Sequence, residues 1–196
     1  MQTTTLSFDN FHNHGELFAN MLRARRELFI VHNKWDLPEA MGMEYDQYDT
    51  PASRWVVVHD ELGKVLAGNR LTPTTTKCGI YSYMIRDAQR GLLATIPSHL
   101  LYDEAPVSET VWESSRLFVA HDVPASMRRK VHARLVQEIG NAARRLGARS
   151  ALTLLNANWP RWAGRVGVDM TAMGPVMEID GINNQVVSMD FSQNMH

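Results

Sequence analysis

Three consecutive stretches decide the fold class: Val111-Trp112-Glu113-Ser114-Ser115-Arg116-Leu117-Phe118-Val119, then PASMRRKVHARLVQEIGNAARRL over Pro124–Leu146, then Ser150-Ala151-Leu152-Thr153-Leu154-Leu155. The first and third are rich in the aliphatic and β-branched residues that suit buried strands. In the second, Val131, Leu135, Ile139, Ala142 and Leu146 recur at spacings of three and four, the apolar stripe of an amphipathic helix. Pro124 near its start and Gly147 past its end are the expected helix punctuation. A strand, a long helix and a second strand make a candidate crossover packed against a sheet.

Working outward, Arg54–His59 and Lys64–Leu71 flank the turn Asp60-Glu61-Leu62-Gly63 and predict a β-hairpin that ends at Pro73. Helical periodicity runs from about Glu16 to Val31, with Leu17, Met21, Leu28 and Phe29 near one face. A polar, acidic loop follows from Asn33 to Pro51, with Pro38 and Gly42 as breakers. Tyr81–Leu93 predicts short helical pieces, and Asn156–Val166 a short helix with Pro160 in its first turn. Met170–Ile179 and Gln185–Met189 predict two late strands joined at Asp180-Gly181. This order is that of an α/β sandwich whose first half is largely antiparallel.

The 196 residues suffice for one substantial domain, and neither a repeat nor a low-complexity segment divides them. With 44% hydrophobic and 21% charged residues and a formal net charge of -1, the chain has the balance of a globular protein and no global basic field for nucleic acid. The single cysteine, Cys78, lacks an internal disulfide partner, and no metal-ligand spacing surrounds it. The first residues lack the basic and apolar regions of a signal peptide, and no apolar run approaches the ~20 residues that span a bilayer. A cytoplasmic location is the expectation.

Chemistry concentrates in four segments. Glu44, Asp46 and Asp49 crowd into six positions of the acidic loop, with Tyr45 and Tyr48 between them. Arg70 and Arg116 lie inside predicted strands, where an unpaired charge is costly, so the three carboxylates are candidate partners. Two readings follow: an ion network that only fixes the loop to the sheet, or a polar pocket whose carboxylates hold an ammonium and whose arginines hold a carboxylate. Glu113 and Arg116 are three apart, which puts them on opposite faces of a regular strand unless a bulge intervenes near Ser114-Ser115. Phe29 reads as core. Trp35, set between Lys34 and Asp36, has less packing reason and suits stacking on a flat or cationic ligand.

These segments, in this order, resemble the LuxI-type acyl-homoserine lactone synthases. The resemblance rests on Arg25, Phe29, Trp35, Glu44-Tyr45-Asp46-Gln47-Tyr48-Asp49, Arg70-Leu71-Thr72-Pro73-Thr74 and Glu113-Ser114-Ser115-Arg116. Tyr83-Met84-Ile85-Arg86-Asp87 and the tail from Gly167 to Gly181 extend it over most of the chain. Val168 departs from the Trp that often follows that glycine in the family. Asn156 lies near a position where some members carry a Ser or Thr linked to 3-oxo-acyl preference, so acyl specificity is left open.

The resemblance implies a single-domain, GNAT-like three-layer α/β/α sandwich with a mixed, largely antiparallel sheet. It implies an adenosylmethionine-site half over residues 1–75 and an acyl-donor half over 76–196. It implies an acyltransferase that acylates the amine of S-adenosylmethionine from an acyl carrier protein or acyl-coenzyme A thioester, closes the lactone and releases 5′-methylthioadenosine. S-adenosylmethionine is then a substrate, and no cofactor, metal, nucleic acid or membrane span is expected. Glu113 is the first candidate to accept the amine's proton, and the acidic loop is the second. Arg25, Phe29, Trp35, Asp46, Asp49 and Arg116 would hold S-adenosylmethionine, with Arg70 and Arg116 joining Asp46 and Glu113 in the catalytic set. Asn156 and Trp159 would border the acyl chain. Arg128, Arg129 and Lys130, at the start of the long helix, would receive the anionic acyl donor. Alternatives are a GNAT-type acyltransferase for another amine, or a non-catalytic binder of the same ligands.

Overall fold

A computed structural model describes residues 1–192. In chain order its elements are β1 (Gln2–Leu6), a 3-10 turn (Phe11–His14), α1 (Leu17–Arg26) continued by a π-helical segment (Glu27–His32), β2 (Glu39–Ala40), β3 (Met43–Glu44), β4 (Arg54–His59), β5 (Val65–Pro73), α2 (Met84–Gln89), β6 (Val111–Val119), α3 (Ala125–Arg145), β7 (Ser150–Asn156), α4 (Trp159–Val166), β8 (Met170–Ala172), β9 (Met177–Ile179) and β10 (Ile182–Asp190). The strands form an eight-stranded mixed sheet in the order β1-β4-β5-β6-β7-β10-β8, with β9 beside β10, and β2 and β3 form a separate small hairpin. Pairing is antiparallel for β1 with β4, β4 with β5, and β10 with each of β7, β8 and β9. It is parallel for β6 with β7, the strands that α3 connects.

Contacts gather the chain into two compact units: Met1–Leu71 with Arg116–Ala142, and Thr72–Ser115 with the chain from Ala143 onward. In the first, Leu6, Leu17, Met21, Leu22, Phe29, Trp55, Val57, Val65 and Phe118 form one apolar cluster. Val56 and Val58, on the opposite face of β4, are equally buried, so this strand is covered on both sides and reads as a continuous valine run. Four residues of the predicted stripe, Val131, Leu135, Ile139 and Ala142, are sealed on α3, whereas the fifth, Leu146, lies just past the helix end and is half-buried. The sequence expectation missed β1. Its Thr-rich QTTTL string has no apolar alternation, yet its β-branched residues suit the edge position it takes against β4. The predicted Glu16–Val31 helix changes pitch at Glu27, and the predicted Met170–Ile179 strand is broken into β8 and β9 around Gly174-Pro175.

In the second unit, Tyr83, Ile85, Ala88, Leu100, Ala105, Leu152, Met177 and Val186 form the core, with Met84, Leu154 and Met173 packed against it. The parallel ladder between β6 and β7 covers only Val111↔Ser150 to Glu113↔Leu152, although both strands continue beyond it. Gly174 is required by close approach: a Cβ there would lie 1.9 Å from the carbonyl oxygen of Leu100. Gly174→Ala is therefore expected to cost about 3 kcal/mol or more of unfolding free energy, because the clash is with backbone and not with a side chain that can swing away. Urea unfolding of the two proteins measures this, and a loss under ~1 kcal/mol would show that the backbone at Leu100 yields.

Candidate functional site

The acidic loop is delivered by the β2–β3 hairpin. Met41 and Gly42 at its tip both have positive φ (53° and 74°), the signature of a two-residue type I′ turn, and the hairpin ends with Glu44 wholly buried. Arg25 and Phe29 are one helical turn apart on α1 and its π-helical continuation, and both face inward. Arg70 projects from β5 and Arg116 from β6.

These elements bring three arginines and three carboxylates, all six residues of the first unit, into one ion network. Arg25 donates from Nε to Glu44 Oε2 at 2.5 Å, and its two terminal nitrogens donate to the two oxygens of Asp49 at 2.8 and 2.9 Å. Arg70 donates to Asp46 at 2.5 and 3.2 Å and lies 3.0 Å from Asp49. Arg116 donates to Glu44 Oε1 from Nε at 3.2 Å and from Nη2 at 3.1 Å, and lies 2.8 Å from Asp46. The Trp55 indole N–H donates to Asp49 Oδ1, the Asp46 amide to Asp49 Oδ2 and the Tyr48 amide to Asp46 Oδ1. Tyr48 also sets its ring beneath the Arg70 guanidinium.

Burial alone would push the carboxyl groups of Asp46 and Asp49 up. The nearby arginines override it: Arg70 and Arg116 for Asp46, Arg70 and Arg25 for Asp49, and both groups are held below the usual carboxylate range. Three positive and three negative side chains balance, as a sealed site requires. The side chains of Arg25 and Arg70 are at most 1% exposed, whereas that of Arg116 is 12% exposed. Arg25 and Arg70 therefore brace the loop, and Arg116 is the guanidinium nearest to solvent. Its φ of +52° departs from the strand region, and Trp112 to Ser115 are all buried, so the alternation of β6 breaks here, next to Ser114-Ser115.

Arg116 stacks over the Phe29 ring at 5.8 Å, and Phe29 stacks on Trp35 at 5.1 Å with ring planes 4° apart. Phe29 is core, as its apolar setting implies. Trp35 finds its stacking partner in Phe29 and keeps 42% of its surface open. Sequence reasoning placed Glu44 only among candidate partners, whereas it is the buried bridge between Arg25 and Arg116. It passed over Trp55, hidden inside a valine run.

Glu113 belongs to the second unit. Its carboxylate accepts from the backbone N–H groups of Met84 (3.3 Å) and Ile85 (2.8 Å), so it caps α2, whose own N-cap residue Tyr83 supplies no side-chain acceptor. Burial, with the charge of Glu113, pushes the Tyr83 phenol up, and that hydroxyl donates to the Pro106 carbonyl. Asn156 is exposed and accepts from the Asn158 amide, closing a turn. Trp159 is half-buried and donates from its indole to Gln185. At the start of α3, Arg128 donates to the carbonyls of Ala120 and His121, while Arg129 and Lys130 are exposed. Among the described residues no group of three or more metal-ligating side chains gathers, and no helix is long and apolar enough to cross a membrane.

The profile of the autoinducer synthase family matches residues 9–195. An acyl-homoserine-lactone synthase of Acinetobacter nosocomialis is 29% identical over 181 residues, 89% of this chain and 91% of that protein. One of Ralstonia nicotianae is 32% identical over 170 residues, 83% of this chain and 76% of that protein. The crystal structure of TofI in a ternary complex with an inhibitor and MTA is 27% identical, aligns over 100% of this chain and 94% of that one, and has a TM-score of 0.76. An acyl-CoA N-acyltransferase from Pseudomonas aeruginosa, 16% identical over 96% of this chain and 97% of that one, has a TM-score of 0.58, a likeness of fold alone. The GNAT-like α/β fold implied by the sequence motifs is the fold of this chain, and the chain belongs to the autoinducer synthase family.

Proposed function

We propose that this protein is an N-acyl-homoserine lactone synthase that works in the cytoplasm on S-adenosylmethionine and an acyl thioester of acyl carrier protein or coenzyme A. The amine of S-adenosylmethionine attacks the thioester carbonyl, the thiol leaves, and an amide forms. The methionyl carboxylate then attacks its own γ-carbon. The carbon–sulfur bond breaks toward the sulfonium, giving the acyl-homoserine lactone and 5′-methylthioadenosine. Every atom comes from the two substrates, so the reaction asks for no cofactor. The observation that carries this reading is the ion network itself, in which six motif residues scattered from position 25 to position 116 converge.

The roles follow from the chemistry. S-adenosylmethionine brings an ammonium, a carboxylate and a sulfonium. Asp46, at the edge of the network with Arg116, offers negative charge to the cationic groups, and Arg116 offers a fork of donors to the carboxylate. Arg25, Arg70, Glu44 and Asp49 hold those two in place. The open face of Trp35 suits the adenine or the sulfonium. Glu113 accepts the amine's proton, directly or through a water, and backbone N–H groups of β6 offer donors to the tetrahedral oxyanion. The methionine-rich cluster of Met84, Met173 and Met177 with Leu152 and Leu154 receives the acyl chain, since unbranched thioether side chains adapt to alkyl groups. Arg129 and Lys130 meet the anionic donor at the positive end of α3.

The first test incubates purified protein with S-adenosylmethionine and a panel of acyl carrier protein and coenzyme A thioesters, with products read by mass spectrometry. Acyl-homoserine lactone with matching methylthioadenosine is expected. Folded protein that forms an amide only with some other amine would make it a different N-acyltransferase. Glu113→Gln is expected to lower kcat ~100-fold or more at unchanged secondary structure; retained kcat with lowered stability would leave Glu113 as the anchor of α2 alone. Arg129→Ala with Lys130→Ala is expected to raise KM for the acyl donor about three- to tenfold, and KM for S-adenosylmethionine little.

Asp49→Asn separates bracing from binding. It keeps the shape but leaves Arg25 short of a buried partner, at a cost of about 3–5 kcal/mol at neutral pH. Because the folded carboxyl is held below its ordinary value, wild type keeps its full advantage above pH ~4 and loses it as pH falls below that. Denaturation of both proteins between pH 7 and 3 checks this, and a gap that stays constant to pH 3 would contradict it.

A further inference from the structure

Gln185 uses both halves of its amide in the second unit. Its Oε1 accepts from the Trp159 indole N–H at 2.8 Å, and its Nε2 donates to the Gly174 carbonyl at 2.8 Å. An uncharged amide can both accept from an indole and donate to a carbonyl in one fixed plane. Its neighbour Val186 lies in the apolar cluster with Leu152 and, through the register Val186↔Leu154, with Leu154. Gln185 therefore stands on the opposite face of β10.

The two bonds act at sensitive points. Gly174 lies between Met173 and Met177, both of which pack on the cluster, and the space a Cβ would take there is filled by the Leu100 carbonyl. Met173 is further pinned through its N–H to Val186 and its carbonyl to Tyr102. Trp159 opens α4 and follows the turn that Asn156 closes at the end of β7. We propose that Gln185 is a positioning residue for acyl-chain selection: its amide ties Trp159 to Gly174 and so fixes the Met173–Met177 wall of the apolar cluster. This rests on the reading above that the cluster receives the acyl chain. Gln185 itself touches no substrate. It sets how far the wall stands from the chain, so its loss changes which acyl length is accepted more than it changes the handling of S-adenosylmethionine.

The test uses the full chain with Gln185→Leu, which removes both bonds. Gln185→Glu keeps the acceptor for the indole and sets an oxygen against the Gly174 carbonyl, and Trp159→Phe removes the indole donor alone. Each is given an equimolar mixture of acyl donors differing by two carbons. Gln185→Leu and Gln185→Glu are expected to change the ratio of the two leading lactones about three- to tenfold, with KM for S-adenosylmethionine within about twofold of wild type. An unchanged product ratio in both overturns the proposal, even if their stability falls, and Gln185→Glu carries the test if Gln185→Leu does not fold.

A second readout needs no activity. In protein labelled with ¹⁵N-tryptophan, the Trp159 indole signal is the one absent from Trp159→Phe. It is expected to shift and to exchange faster in Gln185→Leu, and a signal that stays in place overturns the proposal at its geometric root. A wild-type protein that makes no lactone from any donor, while this signal does move, overturns the functional reading and the selection role with it.

Discussion

The acidic loop is held by charge. Glu44, Asp46 and Asp49 come from one segment of six residues, while Arg25, Arg70 and Arg116 come from a helix and two strands. Each partner is sealed or nearly so, and none would be tolerated there unpaired. The loop is thus held in an arrangement that satisfies all six groups, and that arrangement ties Arg25 of α1, Arg70 of β5 and Arg116 of β6 to one another within the first unit. Such a network contributes little net stability, because desolvation offsets most of its attraction. What it contributes is a unique geometry, which a site for a ligand carrying both signs of charge requires.

Strand β6 carries a second constraint. A regular strand would send Glu113 and Arg116 to opposite faces, and the left-handed backbone at Arg116 is a local cost of about 1–3 kcal/mol that the surroundings must sustain. The guanidinium sustains it through Glu44 on one side, Asp46 on another and the Phe29 ring beneath. The irregularity lies a few residues beyond Glu113, where the parallel ladder with β7 ends.

Periodicity in the sequence located the hairpin, the long helix and the strands around it, because each buries a face with a clear repeat. It missed β1, whose polar threonines pair by backbone alone, and it missed the change to π-helical pitch at Glu27, which leaves no mark in an apolar pattern. The pairing of buried arginines with the acidic loop was legible from cost: a charge in a core strand needs a partner, and few carboxylates were near. Which arginine meets which carboxylate was not legible, since all nine pairings have the same chemistry. Trp55 and Gln185 were hidden for a related reason. A tryptophan in a valine run and a glutamine in a strand announce packing and solvent, and only coordinates reveal that each spends its polar atoms on a specific partner.

The same electrostatics bear on which carboxylate takes the proton. Asp46 and Asp49 are kept ionised by arginines, which suits them to hold a cation but makes them poor proton acceptors, since a base that is reluctant to be protonated gains little by taking one. In the proposed reaction, stabilising the charged substrate and accepting its proton therefore fall to different groups. The Glu113 carboxylate is held by two amide N–H groups of α2, which orient it. On the proposed reaction, fixing the acidic loop with arginines and Glu113 with backbone amides is what separates binding from base.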